Sequence, residues 1–251
     1  MHCVLRSINQ RVKGWAIRMP RLETTMKELL VQPPRMVLRR TSTQEPHQPL
    51  KDFGLPNPSW SREMMDQFEK FTKMSEDGSW QRMPSYNNYV DSLPVHRKLA
   101  YKPRKHEDAC LFVRNMATEG RGFEFAMFYN GSERRMVVLL QPGSHLEGVN
   151  GFMHGGAVAA ILDHTFASCG ICAFGLIMTA NLSVNYKSPI PLGSVVLVEA
   201  KVEKVEEKKV FLSGCVQSPD AENLHAEATA LLIHLGAKTS SPPQRFPRPQ
   251  L

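Results

Sequence analysis

Hydrophobic and polar positions change period twice along this chain. Trp60, Met64, Phe68 and Phe71 recur at helical spacing, with Arg62, Asp66, Glu69 and Lys73 between them. That pattern predicts an amphipathic helix with Asn57 as its cap, Pro58 in its first turn and an end near Asp77-Gly78. Residues 79–107 follow neither period; Pro84 and Pro94 interrupt them, and Trp80, Tyr86 and Tyr89 are candidate anchors. From Ala109 the period becomes two. Residues 110–117, 122–129 and 136–141 read as strands, the last two joined by a turn at Asn130-Gly131-Ser132. Four more strands are expected at 177–186, 195–205, 209–217 and 224–234, with a charged tip at Glu206-Glu207-Lys208 between the middle two.

Between the two groups of strands lies a stretch with neither period. Gly148-Val149-Asn150-Gly151-Phe152-Met153-His154-Gly155-Gly156 is a glycine-rich loop, and Ala157 onward is a run of small and apolar residues interrupted by Asp163 and His164. Apolar side chains all round a helix mean a helix buried all round. A carboxylate in such a helix is costly unless it has work to do. Two glycines at the helix start leave backbone N–H groups approachable, at the positive end of the helix dipole, where a developing oxyanion gains stabilisation. Together these features point to acyl-group chemistry. Asp163 lies nine residues past His154, about two and a half turns, so the two cannot share one face of the helix. His154 therefore belongs to the loop or cap, where it also reads as a plain capping residue. His164, next to Asp163 and about 100° round the helix, reads as a packing residue or as a group that supports Asp163 from behind.

Charge narrows the picture. The 251-residue chain carries +7, but residues 1–43 hold nine of its 31 Lys/Arg and two of its 24 Asp/Glu, so the leader carries the whole excess and the rest is balanced. Balance in the folded part argues against a nucleic-acid partner. An Arg-rich, acid-poor leader without a continuous apolar core has the composition of a mitochondrial transit peptide, with cleavage expected before Lys51. The expected location is the mitochondrion, in the matrix or at the inner membrane, with a cytoplasmic pool left open. The basic run 97–105 reads as a solvated loop in preference to a contact for phosphates. Five scattered cysteines make no disulfide framework, and Cys169-Gly170-Ile171-Cys172 lacks the second pair a zinc site needs. No metal, cofactor or integral membrane segment is expected.

A sheet of strands interrupted by one apolar helix predicts an α+β fold, an antiparallel sheet wrapped around a central helix with an N-terminal helical extension. At this point the chain resembles a known family. Gly151-Phe152-Met153-His154-Gly155-Gly156, the helix with Asp163, and Met178-Thr179-Ala180-Asn181-Leu182-Ser183-Val184-Asn185-Tyr186-Lys187 are similar to the hotdog-fold acyl-CoA thioesterases. Within them the chain resembles the mitochondrial branch that includes a protein kinase B-associated member. The resemblance runs over about residues 50–235. It implies a hotdog domain at 108–236; composition adds a leader at 1–43, a linker with a helical extension at 44–107 and an unstructured tail at 237–251. It implies hydrolysis of medium- to long-chain fatty acyl-CoA with Asp163 as base or nucleophile, His154 and Gly155 orienting the carbonyl, and Thr179 holding water, often across a dimer interface. Gly156, Asn181, Asn185 and Lys187 are the implied substrate contacts, and a homodimer the implied assembly. Two alternatives stay open: a regulatory partner of protein kinase B on a hotdog scaffold, and a hotdog enoyl-CoA hydratase. An α/β-hydrolase is excluded, since G-x-S-x-G is absent.

Overall fold

A computed structural model describes residues 52–84 and 119–235. The chain divides into residues 1–48 and 49–251, and every described residue belongs to the second unit. The expected leader, the strand at 110–117, the basic run and the tail lie outside the described residues.

The N-terminal helix, α1 (Arg62–Met74), begins at Ser61, whose side chain accepts the Met64 N–H. Asn57 does not cap it. Its side chain accepts the Ser59 N–H at 2.9 Å and its carbonyl accepts the Trp60 N–H at 3.1 Å. This local turn uses the asparagine before the helix can start.

The strands are β1 (Gln81–Met83), β2 (Phe123–Asn130), β3 (Arg135–Pro142), β4 (Ile177–Tyr186), β5 (Val196–Glu206), β6 (Lys209–Gln217) and β7 (Leu224–His234). They form one antiparallel sheet in the order β1-β2-β3-β5-β6-β7-β4. The stretch after α1 is not wholly irregular: β1 pairs with β2, Arg82 opposite Phe128. Three residues are too few to show a period.

The central helix, α2 (Gly155–Phe174), lies on one face of this sheet, with twelve of its twenty residues buried. Among the described residues it is the one helix long and apolar enough to cross a membrane, yet here the sheet wraps it. The contact is close because Gly214 on β6 has no side chain. A Cβ there would stand 2.1 Å from the Glu199 carbonyl oxygen and 2.9 Å from the Phe166 ring of α2. This is the hotdog arrangement.

The opposite face of β2, β3 and the start of β5 is covered by α1. Trp60, Met64, Phe68 and Phe71 pack on Ala126, Phe128, Val137, Leu139 and Leu197. Each fully buried apolar side chain of this kind contributes about 1.5–3 kcal/mol. A polar clamp sets the register. The buried Glu124 carboxylate accepts from Trp60 Nε1 at 2.9 Å, Asn57 Nδ2 at 3.0 Å and the Gly120 N–H at 2.9 Å. Its cross-strand neighbour Gln141 accepts the Ser61 N–H and donates to the Ser59 carbonyl.

Candidate active site

The loop before α2 is pinned at its helix end. His154 N–H donates to the Leu146 carbonyl at 2.7 Å, and Met153 N–H to the Ile190 carbonyl at 2.9 Å. Gly151 takes a φ of 81°, open to glycine at no steric cost. His154 is the N-cap of α2, and its Nδ1 accepts the Gly156 N–H at 2.9 Å. Glycines make the room for this ring. A Cβ at Gly156 would lie 2.9 Å from Nδ1, and one at Gly148 would lie 3.1 Å from Cδ2. An accepting Nδ1 carries no proton, so the ring is held with its proton on Nε2.

The cap divides the two glycines. The Gly156 N–H is engaged by His154. The Gly155 N–H has no acceptor among the described residues and stands at the positive end of the helix dipole. Gly155 also lines a cleft of about 250 Å³ with Met153, Val158, Tyr186, Ile190 and His225.

Asp163 is half-buried rather than fully enclosed. It belongs to the less buried stripe of α2, together with Gly156, Ala160 and Ala167. One of its oxygens, Oδ1, is buried with no hydrogen-bond partner. An unsatisfied buried acceptor costs about 1–3 kcal/mol, which a fold keeps where a further group completes the site. Eight residues separate Asp163 from Gly155, so they stand about 12 Å apart along the helix. The structure does not bring them together within one chain.

Thr179 owes its orientation to a bulge. In the β4–β7 register Thr179 faces Leu232, Asn181 faces Leu231 and Leu182 faces Ala230, leaving Ala180 without a partner. Leu232 and Ala230 are core residues on the helix side. Thr179 and Leu182 therefore share the helix side, while Asn181 and Asn185 face away from it. Simple alternation groups Thr179 with Asn181 and Asn185; the extra residue separates them. β4 runs back along its own helix, with Ile177 against Gly170 and Tyr186 against Gly155. Two residues beyond Ile177, Thr179 lies toward the Gly170 end of this run, and so nearer the level of Asp163 along the helix than Tyr186 does. Lys187 sits at the rim of the cleft with its ammonium 3.1 Å from Glu227.

Three residues at the cleft escape the sequence reading. The Tyr186 hydroxyl donates to the Gly155 carbonyl at 2.9 Å. Ser188 Oγ donates to the Leu224 carbonyl and lies 3.0 Å from His225 Nδ1. With the Ser188 proton so engaged, His225 Nδ1 is the donor of that pair. Ser188 and His225 meet only because β4 neighbours β7, a pairing that local pattern does not reveal.

His164 is buried against Phe125, with ring centroids 5.3 Å apart, and loss of solvent pushes its pKa down to about 4. It is held neutral and packs in the core. Cys169 and Cys172 are buried thiols outside any disulfide; Cys169 Sγ donates to the Arg134 carbonyl, and burial pushes this thiol up, away from the reactive thiolate.

A family model described as thioesterase superfamily matches residues 150–223. The acyl-coenzyme A thioesterase THEM4 of Xenopus laevis is 46% identical over 188 residues, covering 74% of this chain and 81% of that protein. The Bos taurus THEM4 is 40% identical over 245 residues, 95% of this chain and 100% of that one. The acyl-coenzyme A thioesterase THEM5 of Homo sapiens is 32% identical over 196 residues, 77% and 79% of the two chains. Among solved structures, zebrafish thioesterase superfamily member 2 superposes at a TM-score of 0.37 with 20% identity, over 41% of this chain and 75% of that one.

Proposed function

The chain belongs to the acyl-coenzyme A thioesterase family, and on that premise we propose that it hydrolyses medium- to long-chain fatty acyl-CoA to the free fatty acid and CoA. The observation that carries the reading is Asp163: a carboxylate oxygen buried without a partner, on a helix whose first N–H is also without one. The Gly155 N–H, with His154 Nε2–H beside it, polarises the thioester carbonyl. Thr179 holds a water, and Asp163 takes its proton as the oxygen attacks the carbonyl carbon. The C–S bond breaks, and the thiolate leaves with the proton that Asp163 returns. Direct attack by the carboxylate, followed by hydrolysis of the anhydride, uses the same residues.

One chain cannot apply Gly155 and Asp163 to the same carbonyl across about 12 Å of helix. A homodimer joined along β4 solves this. Its two-fold axis carries Gly155 of one protomer toward Asp163 and Thr179 of the other, giving two composite sites. Support comes from β4 itself, which is ten residues long, mostly exposed and at the edge of the sheet that the described residues form. The leader's composition supports a mitochondrial address.

Incubating the purified full chain with palmitoyl-CoA, butyryl-CoA and crotonyl-CoA tests the assignment. Thiol release fastest from palmitoyl-CoA is the expected result. Hydration of crotonyl-CoA without thiol release would replace it by the hydratase. An inactive protein that binds protein kinase B would replace it by the regulatory scaffold.

A further inference from the structure

Tyr186 is more than half exposed, so its hydroxyl is not seeking a partner because burial forces it to. It nevertheless donates to the Gly155 carbonyl at 2.9 Å. That carbonyl and the Gly156 N–H belong to one peptide group, and the Gly156 N–H donates to His154 Nδ1, also at 2.9 Å. The peptide plane at the start of α2 is thus held at both ends by side chains from two different segments. Behind Tyr186 the backbone is itself anchored, since the N–H groups of Lys187 and Ser188 both donate to the His225 carbonyl.

These bonds point one way: Tyr186 O–H to the Gly155 carbonyl, Gly156 N–H to His154 Nδ1, with the remaining proton on His154 Nε2. Hydrogen bonds in such a chain polarise one another. A carbonyl that accepts from Tyr186 makes its own N–H a stronger donor. An imidazole that accepts at Nδ1 becomes a stronger donor at Nε2. We propose that Tyr186 is a positioning residue for the thioesterase reaction. Acting through the Gly155–Gly156 peptide, it holds His154 in the Nε2–H form and fixes the turn that presents the Gly155 N–H. Its place at the end of edge strand β4 links the strand of the expected dimer contact to the carbonyl-binding turn.

The kinetic part of this inference rests on the thioesterase reading; the structural part does not. The test compares the full chain with Tyr186→Phe, which keeps the ring and removes the donor, and with Gly156→Ala, whose Cβ would crowd Nδ1. For Tyr186→Phe, kcat toward palmitoyl-CoA should fall about tenfold, the scale of one neutral hydrogen bond, with KM within about twofold. Gly156→Ala should lose at least as much. The double variant should be no worse than the poorer single one, since both break one chain. Nitrogen-15 spectra of the His154 ring should show Nδ1 unprotonated in the wild type and a mixed tautomer in Tyr186→Phe, with faster exchange of the Gly156 amide proton. An unchanged ring and amide in Tyr186→Phe would overturn the proposal, as would a raised KM at constant kcat, which would make Tyr186 a substrate contact. A wild-type protein that releases no thiol defeats the thioesterase reading, and with it the kinetic role, while the spectra still decide whether Tyr186 sets the His154 tautomer.

Discussion

Strands β2 and β3 are buried along almost their whole length on both faces, by α2 on one side and α1 on the other. At the far end of the same sheet, β4 has a buried first residue and is open for most of the rest. The difference is not one of composition alone, since Leu182 and Val184 are as apolar as the residues of β3. It lies in what covers each strand. The β2–β3 end brings its own cover, locked by Glu124 and Gln141. The β4 end brings an edge, a bulge and the less buried stripe of α2 together, and Asp163, Thr179 and the HisGlyGly turn all lie along this open region. The finished end supplies stability, and the unfinished end carries the groups proposed to react.

The largest effects should separate the two ends by activity. Asp163→Asn should lower turnover by a factor on the order of 10² or more, while thermal stability holds or rises because an unpaired buried charge has gone. Gly155→Pro should lower kcat by about 10²–10³ by deleting one N–H. Proline suits the first helical position. His154 before it is already extended at φ −62° and ψ 136°, and a Cβ at Gly155 meets nothing closer than 3.6 Å. Normal turnover in either variant would remove that residue from the mechanism.

At the finished end the sign reverses. Glu124→Ala leaves the donors of Trp60, Asn57 and Gly120 without their acceptor. Unfolding in urea should show a loss of about 3 kcal/mol or more. Activity per folded molecule should change little, and a selective loss of kcat with stability intact would mean that the arm reaches the site.

Next in size is a pH effect on the core between the two ends. His164 has a folded pKa near 4, below its ordinary value of 6.5. The unfolded chain therefore binds the proton first. His164 costs nothing above about pH 6.5, and its burial costs progressively more as pH falls toward 4, reaching about 3 kcal/mol. Urea midpoints at pH 7 and pH 4.5 should differ more for the wild type than for His164→Leu. Equal differences would assign the acid sensitivity to other groups.

What the sequence shows and hides follows the same division. The central helix is legible because burial all round it dictates its pattern locally, its capping loop because glycines mark it, and the mostly exposed strand at 177–186 because Pro189 and Pro191 close it. α1 is legible from Trp60, Met64, Phe68 and Phe71, although Asn57 misleads about its start because one asparagine can build a turn as easily as a cap. The bulge at Ala180 is invisible, since an alanine fits either strand parity, and with it the true facing of Asn181 and Asn185. Glu124 looks like the polar member of an alternating strand; only the arm packed over it makes it a buried clamp. Tyr186 and His225 join the site through pairings with distant residues, where local periodicity carries no information.

The smallest effect is a partial recovery, and it tests the open edge directly. Within one chain Thr179 lies nearer the level of Asp163 than Tyr186 does, whereas Gly155 lies about 12 Å from Asp163 along the helix. The proposed composite site therefore takes Asp163 and Thr179 from one protomer and Gly155 from the other. The family resemblance suggested instead that Thr179 of one chain serves Asp163 of its partner. Two mixtures separate these arrangements. When Asp163→Asn and Gly155→Pro dimers exchange subunits freely, about half of the dimers become mixed, and each mixed dimer has one site with both lesions and one with neither. Activity should return to about a quarter of the wild type. The mixture of Asp163→Asn with Thr179→Ala should show no recovery, because each mixed dimer keeps one lesion in each site. Recovery in the second mixture and not the first would place Thr179 across the interface from Asp163. Recovery in neither, with exchange shown by mass-labelled subunits, would mean that β4 does not bring the two sites together.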